Sequence, residues 1–376
     1  MKAGLSNTKA EVHVVTGGAG YLGQKLGLKL AEEGIVVRLF DIRPPKNLSN
    51  LPKTIKFYEG NILDEAALSD VLREADCVHH VASYGMSGRE MLNKELIRRV
   101  NVNGTRLLIK ICKSLNVSRL IYTSTYNVIF GGQEIKNGNE TLPYWPVEKH
   151  TDEYSRTKCL AEQLVLESNS PSFKTCALRL AAIYGPGEER HFPRIIKYME
   201  QGLFAFTYGD AIVDFVHVDN VVNCHILSSS SLKNGKAAGQ SYFVSDGAPI
   251  KNWDFMKPFV EGLGYKYPNL KIPTKFIFYI AFVIEILYLC FSSIYNFQPL
   301  LTRAEVYKTG VSHYFSIEKA KRDLNYQPVR QNDVQSMAEW FKSRGYYRKK
   351  QKSHIGYYIM LCIMIILFLS MMPVAY

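Results

Sequence analysis

The chain lacks the features that would mark it as secreted or extended. Its seven cysteines (Cys77, Cys112, Cys159, Cys176, Cys224, Cys290 and Cys362) are spread singly along 376 residues. An odd count with no close pairs and no zinc-ligand spacing argues against a disulfide framework. It predicts reduced thiols and no bound metal. There is no internal repeat and no low-complexity segment. A composition of 47% hydrophobic and 21% charged residues excludes disordered, collagen-like and coiled-coil chains. Met1 to Ala10 lacks the apolar run of a signal peptide, and the length favours two domains. The formal net charge is +12, but much of the excess lies near the C-terminus, so no nucleic-acid partner is predicted.

Charge itself is missing from Ile355 to Tyr376. About 20 apolar residues cross a bilayer core of about 30 Å, so a transmembrane anchor is predicted over residues 355–373. Arg348, Lys349, Lys350 and Lys352 stand just before it. Basic residues favour the cytosolic side, which predicts a tail-anchored protein with its folded part in the cytosol. Asn47, Asn103, Asn116 and Asn139 lie in glycosylation sequons, and a glycan on any of them would reverse that orientation.

What is present at the start of the chain is an alternation of strands and helices. The short β-branched run Glu11 to Val15 leads at once into Thr16-Gly17-Gly18-Ala19-Gly20-Tyr21-Leu22-Gly23. Leu22, Leu26, Leu28, Leu30 and Ala31 continue at helical spacing until Gly34. A second strand, Val36 to Phe40, ends on Asp41, and further strands are expected at Ile55–Tyr58, Cys77–Val81, Leu120–Thr123 and Cys176–Leu180. The fold class this predicts is α/β, a Rossmann-type doubly wound parallel sheet.

Gly17, Gly20 and Gly23 have the spacing of a dinucleotide loop: one permits a tight turn, one a close approach to pyrophosphate, one helix–strand packing. Backbone N–H groups at the helix start then face the phosphate charge. Asp41 at the end of the next strand would accept ribose hydroxyls and repel an extra phosphate, which favours NAD over NADP. Arg43 works against that preference.

With this loop the chain resembles the extended short-chain dehydrogenase/reductase family, and the other matches follow in that family's order. Gly60-Asn61-Ile62-Leu63-Asp64 resembles the adenine-contacting turn, with Asn61 where Asp is usual. His79-His80-Val81-Ala82-Ser83 resembles the strand end beside the cofactor, and Asn101-Val102-Asn103-Gly104-Thr105 the helix start after it. Tyr122-Thr123-Ser124-Thr125 and Tyr154-Ser155-Arg156-Thr157-Lys158 resemble the catalytic strand and helix. Leu178 to Gly187 and Phe215-Val216-His217-Val218-Asp219 resemble later landmarks, with Ala181 in place of a usual Pro and Asn220 in place of a frequent acid. The resemblance covers residues 11 to 345 and implies an NAD-binding domain over 11–180 and a smaller substrate-binding domain over 181–345. It places Gly17, Gly20, Tyr21, Leu22, Gly23, Asp41, Asn61, Ile62, Ala82 and Lys158 at the cofactor, and Thr125, Tyr154 and Lys158 at the chemistry.

Tyr-x-x-x-Lys alone carries little, since the chain contains it at Tyr21/Lys25, Tyr154/Lys158, Tyr267/Lys271 and Tyr346/Lys350. Only Tyr154 opens an amphipathic helix, with Ala161, Leu164 and Val165 on a buried face, and positions i and i+4 bring Lys158 beside it. A neighbouring ammonium and the positive nicotinamide ring would both favour the phenolate that a base requires. Thr125 would hydrogen-bond the substrate oxygen. Strand alternation turns its neighbour Ser124 the other way. His79 and His80 read as core histidines.

A second apolar stretch, Phe276 to Phe291, carries one charge, Glu285. Sixteen helical residues rise about 24 Å, short of a bilayer core. The segment Leu300 to Lys352 holds twelve basic residues against five acidic, which opposes its export. The expectation is a membrane-associated segment at 276–294 beside the substrate pocket, lying on or dipping into the bilayer, with a true span as the alternative. Within its family the chain is most similar to the 3β-hydroxysteroid dehydrogenase/isomerase branch and its sterol-dehydrogenase relatives. That implies a membrane-bound enzyme, of the endoplasmic reticulum, oxidising a 3β-hydroxyl of a lipid-soluble steroid or sterol, and dimerising through the tyrosine-bearing helix. A nucleotide-sugar epimerase or dehydratase, or a non-catalytic NAD-binding membrane scaffold, remain the alternatives on the same fold.

Overall fold

The computed structural model describes residues 10–46, 48–86, 88–291 and 301–348. The expected anchor at 355–373 and the end of the second apolar segment, 292–294, lie outside them. Among the described residues no helix is long and apolar enough to cross a membrane.

Seven strands form one wholly parallel sheet: β1 (Val12–Thr16), β2 (Val36–Asp41), β3 (Ile55–Glu59), β4 (Cys77–His80), β5 (Arg119–Thr125), β6 (Lys174–Leu180) and β7 (Gln240–Val244). Their spatial order is 3-2-1-4-5-6-7, the doubly wound arrangement, so the chain reverses its winding between β1 and β4. Ligand crevices form at such a reversal, beyond the carboxyl ends of the strands.

Alternation along each strand sorts side chains to two faces. Val15, Leu39, Ile121 and Leu178 face α1 (Tyr21–Glu32) and α5 (Val218–Lys233). Val14, Phe40, Leu120 and Tyr122 face α2 (Glu65–Leu72), α3 (Thr105–Ser114) and α4 (Glu153–Glu167). After β6 the chain leaves the sheet through Ala182–Tyr184, which pairs with Phe215–His217. Beyond that point a separate aromatic core forms around Phe192, Phe215, Phe255, Phe259 and Phe341. Helix α6 (Thr274–Phe291) and α7 (Arg303–Gly310) pack together around Ile277, Ala281, Val306 and Tyr208.

The strands read from sequence are the strands found, with ends shifted by one or two residues. β7 was not anticipated, because its place at the sheet edge depends on pairing with β6 across a long insertion. Five cysteines are free and buried, and Cys290 is exposed.

One buried carboxylate joins three elements. Glu162 on α4 accepts hydrogen bonds from Ser124 on β5, from the Tyr144 hydroxyl (2.9 Å) and from Arg179 Nε on β6 (2.8 Å). Glu162 is fully buried and Arg179 nearly so. Removing one partner from a buried pair strands the other's charge and typically costs about 3–5 kcal/mol. Glu162→Ala should lower unfolding stability by about that amount in a chemical denaturation series, whereas exposed Glu32→Ala, which pairs only with Lys29 on the surface, should cost less than about 1 kcal/mol.

Candidate active site

The β1–α1 turn is shaped by glycine where nothing larger fits. Gly17 has φ +70°, and a Cβ there would lie 2.8 Å from the Ala82 nitrogen. A Cβ on Gly23 would lie 2.1 Å from the Gly17 carbonyl oxygen. The Gly20 N–H donates to that same oxygen at 3.0 Å, closing the turn. Helix α1 then starts at Tyr21 with no side-chain cap on its N–H groups, which leaves them for an anionic ligand. Asp41, at the end of β2, lies across the loop and accepts from the Ala19 N–H (3.0 Å) and the Ile42 N–H (2.7 Å). Burial raises its carboxyl above the ordinary value while these N–H groups pull it back. A glycine cradle, free helix-start N–H groups and a carboxylate at the next strand end fit NAD, and Asp41 would be the residue to hold its adenine ribose.

The residues assigned from sequence to the cofactor and the chemistry line one cavity of about 2340 Å³: Gly17, Gly20 to Gly23, Asp41, Asn61, Ile62, Ala82, Thr125, Tyr154 and Lys158. The Asn61 side-chain oxygen accepts from the Leu63 N–H (3.0 Å) and caps its own turn. Ala82 donates its N–H to Thr16 Oγ1 (3.3 Å), which pins the end of β4 against β1.

Asp152 caps α4 by accepting from the Ser155 N–H (2.7 Å), and is held from the other side by Lys308 of α7 (3.1 Å). That cap fixes the turn carrying Tyr154. Lys158, one turn on, is buried and donates to the Thr123 carbonyl oxygen at 2.5 Å, with its ammonium 4.0 Å from the centre of the Tyr122 ring. Ser124 turns to Glu162, as alternation requires, while Thr125 on the opposite side of the strand accepts from the Asn127 N–H (3.3 Å).

The electrostatics correct one expectation. Burial pushes the Tyr154 hydroxyl up to about 12, with Asp152 adding to the rise, and Lys158 is not among the groups that lower it. The lowering comes from Arg190 and from a side-chain hydrogen bond with Ser83. Burial also pulls Lys158 down to about 7, so its charge is costly where it lies. The i, i+4 spacing brings the two residues to one helix face, but the ammonium is directed to β5.

Ser83 and Arg190 were missed. Ser83 ends a segment noted for its resemblance, so a signal existed. Arg190 lies far along the chain, in no motif. The hydroxyl of Tyr21 is buried without a partner and sits close to Gly185. The pair Tyr21/Lys25 is helical after all, since α1 begins at Tyr21.

Behind the site, His79 and His80 are core residues as expected, yet both are fully hydrogen-bonded. His80 bridges Thr16 (2.8 Å) and Thr105 (2.9 Å). His79 stands between His13 (3.1 Å) and His225 (3.3 Å), and His225 meets the Thr123 hydroxyl at 3.0 Å. Among the described residues His13, Cys77 and His79 are the one set whose atoms could gather around a metal ion. Residues Arg99–Gly104 form a π-helical turn, where Asn101 holds both backbone polar groups of Tyr84 and the Thr157 hydroxyl.

Two outcomes follow from this geometry. Below pH 7 both the folded and the unfolded chain carry the Lys158 charge, so the whole cost of burying it is present. That cost fades as pH rises from about 7 to ~10.4, where the folded chain alone is neutral. Lys158→Met should therefore raise Tm relative to wild type at pH 6, with the gain vanishing near pH 10. Asp41→Ala should shift the ratio of NAD to NADP affinity at least about tenfold towards NADP, measured by calorimetric titration of both, because the repelling carboxylate is gone and exposed Arg43 remains.

Comparison with known proteins agrees with this construction. Residues 14–274 match the 3-beta hydroxysteroid dehydrogenase/isomerase family. The chain is 47% identical to short-chain dehydrogenase/reductase family 42E member 1 of Danio rerio, over 97% of each chain. It is 36% identical to sterol-4-alpha-carboxylate 3-dehydrogenase, decarboxylating, of Mus musculus, over 86% of this chain and 88% of that one. In fold it is similar to UDP-glucose 4-epimerase of Thermotoga maritima, with a TM-score of 0.68 at 21% identity, covering 89% of this chain and 99% of the other. The sequence matches, the doubly wound sheet and the NAD-shaped crevice together establish that the chain belongs to the 3-beta hydroxysteroid dehydrogenase/isomerase family, as an NAD-dependent dehydrogenase acting on CH–OH groups.

Proposed function

We infer that the protein oxidises the 3β-hydroxyl of a steroid or sterol-like alcohol with NAD, at a membrane of the endoplasmic reticulum and with its site facing the cytosol. The observation that carries this reading is the wall of the cavity away from the nucleotide loop. Phe276, Ile280, Val283, Ile284 and Leu287 of α6, with Trp253 and Met256, offer an apolar surface, and the volume exceeds the ~300–1,000 Å³ of an ordinary ligand pocket. A rigid hydrocarbon skeleton beside NAD suits such a chamber better than a sugar, whose hydroxyls would need polar partners along that wall. The relative from Mus musculus, named for a sterol substrate, supports the same class.

Bound NAD would supply the hydride acceptor at its nicotinamide ring. The chain's own part is to manage the hydroxyl proton and the developing charge. Tyr154 takes the proton on its phenolic oxygen, a role its burial opposes and the nearby positive charge of Arg190 favours. Thr125 donates its hydroxyl to the substrate oxygen, and Lys158, anchored on Thr123, provides the buried cation beneath the site. Substrate contacts come from residues 181–345, the cofactor is held by 11–180, and copies pair through α4.

The test is NADH formation by the detergent-solubilised full chain with NAD and a panel of 3β-hydroxysteroids and sterols. Turnover is expected, and Tyr154→Phe should reduce it by about 10²-fold or more while NAD affinity stays within twofold of wild type. Silence of the whole panel while NAD still binds would defeat the sterol reading and favour a nucleotide-sugar substrate or a scaffold role.

A further inference from the structure

Helix α6 is apolar on all sides, a pattern found in helices buried in a core or in lipid. One side is accounted for: Ile277 and Ala281 are buried against Tyr208 and Val306. A second side, Phe276, Ile280, Val283 and Leu287, lines the cavity. The third side, Phe282 and Ile286, lies off the cavity and is open except where Arg303 covers the Phe282 ring, with Tyr279 at its border with the cavity. Tyr279 is 68% exposed, Phe282 40% and Ile286 43%. The residues at the cavity rim are open as well, Phe276 at 66% and Leu287 at 43%. The chamber and the outer face therefore share one continuous apolar surface that runs around the helix.

The single charge within the apolar stretch from Phe276 to Phe291 has been neutralised. Glu285 accepts from the Arg303 N–H and from Arg303 Nε, both at 2.7 Å, and the Arg303 guanidinium lies 5.0 Å from the centre of the Phe282 ring. A paired charge shielded by an aromatic ring is one that can approach lipid. An aqueous protein surface would gain little from the arrangement. Exposed Lys275 in the first turn supplies positive charge at one end, where phosphate headgroups would lie. The opposite end of the cavity, around Asp41, Arg43 and Arg190, is polar and faces water.

We propose that α6 is a lateral doorway: it lies at the headgroup–acyl boundary of a bilayer with Tyr279, Phe282 and Ile286 in the lipid, and a hydrophobic alcohol passes from the membrane past α6 into the cavity without entering water. The nucleotide enters from the aqueous end. This rests on the steroid reading above and adds to it the route of supply.

Two measurements on the full chain reconstituted in phosphatidylcholine vesicles test it. In the first, a bimane probe on Phe282→Cys, in a background where exposed Cys290 and Cys362 of the uncharged tail are replaced by Ser, reads the surroundings of the helix. Quenching by brominated phosphatidylcholine is expected, and its absence overturns the doorway. The uncharged tail would hold the protein on the vesicle in either case, so this readout concerns α6 alone and needs no substrate. In the second, the steroid that turns over is presented in vesicles or in cyclodextrin. The wild-type rate should follow the mole fraction of steroid in the lipid when vesicles are diluted with lipid at constant total steroid. Phe282→Glu with Ile286→Glu, which do not line the cavity, should raise the apparent KM about tenfold for vesicle-borne steroid. The same variant should leave kcat, NAD affinity and the cyclodextrin KM unchanged. Equal KM values for the variant and wild type on vesicles, or a rate blind to lipid dilution, overturn the proposal. A wild-type enzyme silent towards every steroid defeats the substrate reading instead, and the quenching experiment then decides the doorway.

Discussion

The bond network around Glu162 is the constraint on which the geometry of the candidate site depends. This carboxylate sits one turn beyond Lys158 and two beyond Tyr154 on α4, and it is bonded to β5 through Ser124 and to β6 through Arg179. Helix and strand cannot slide relative to each other without breaking it. Because Ser124 is committed to that side, Thr125 must face the cavity, and because α4 is fixed in register, Lys158 meets the Thr123 carbonyl. Asp152 and Lys308 fix the other end of the same helix from α7. The site is therefore held between the sheet and the α6–α7 pair, and small displacements in either would be felt at Tyr154.

Much of this was legible in the sequence wherever the signal was local. The glycine loop, the strand ends at Asp41 and Ala82, and the Tyr154/Lys158 turn depend on residues close together in the chain, and they converge on one cavity. What could not be read depended on distant partners. Glu162 looks like any acid on a helix until Arg179 is opposite it. β7 is defined by its pairing, and Arg190 by a fold that carries it across the crevice. The spacing of Tyr154 and Lys158 predicted a helix face but not the direction of the ammonium, which β5 decides by offering a carbonyl oxygen. Burial was the larger effect on both groups, and it opposed the charge that spacing alone suggested.

The cavity has two unlike ends, and the contrast follows from topology. The nucleotide end is made by loops at the carboxyl edge of a parallel sheet, where backbone N–H groups and strand-end carboxylates collect. The other end is made by segments inserted after β6, freed from sheet geometry and able to offer a helix as apolar as α6. The parallel sheet supplies the first, while the inserted residues line the rest of the cavity.

The histidines behind the catalytic strand give the molecule a weakness in acid. His13, His79 and His225 are buried together under α5. Burial holds His13 down at about 4, His225 at about 3 and His79 well below its ordinary value. An unfolded chain would take up protons at all three below pH ~6.5, where the folded chain refuses them, so each imidazole favours unfolding as the medium acidifies. The loss falls on the seam between β1, β4, β5 and α5, which also carries the carbonyl holding Lys158. Acid would thus draw down the stability of the fold from about pH 6.5, before most surface carboxylates are titrated.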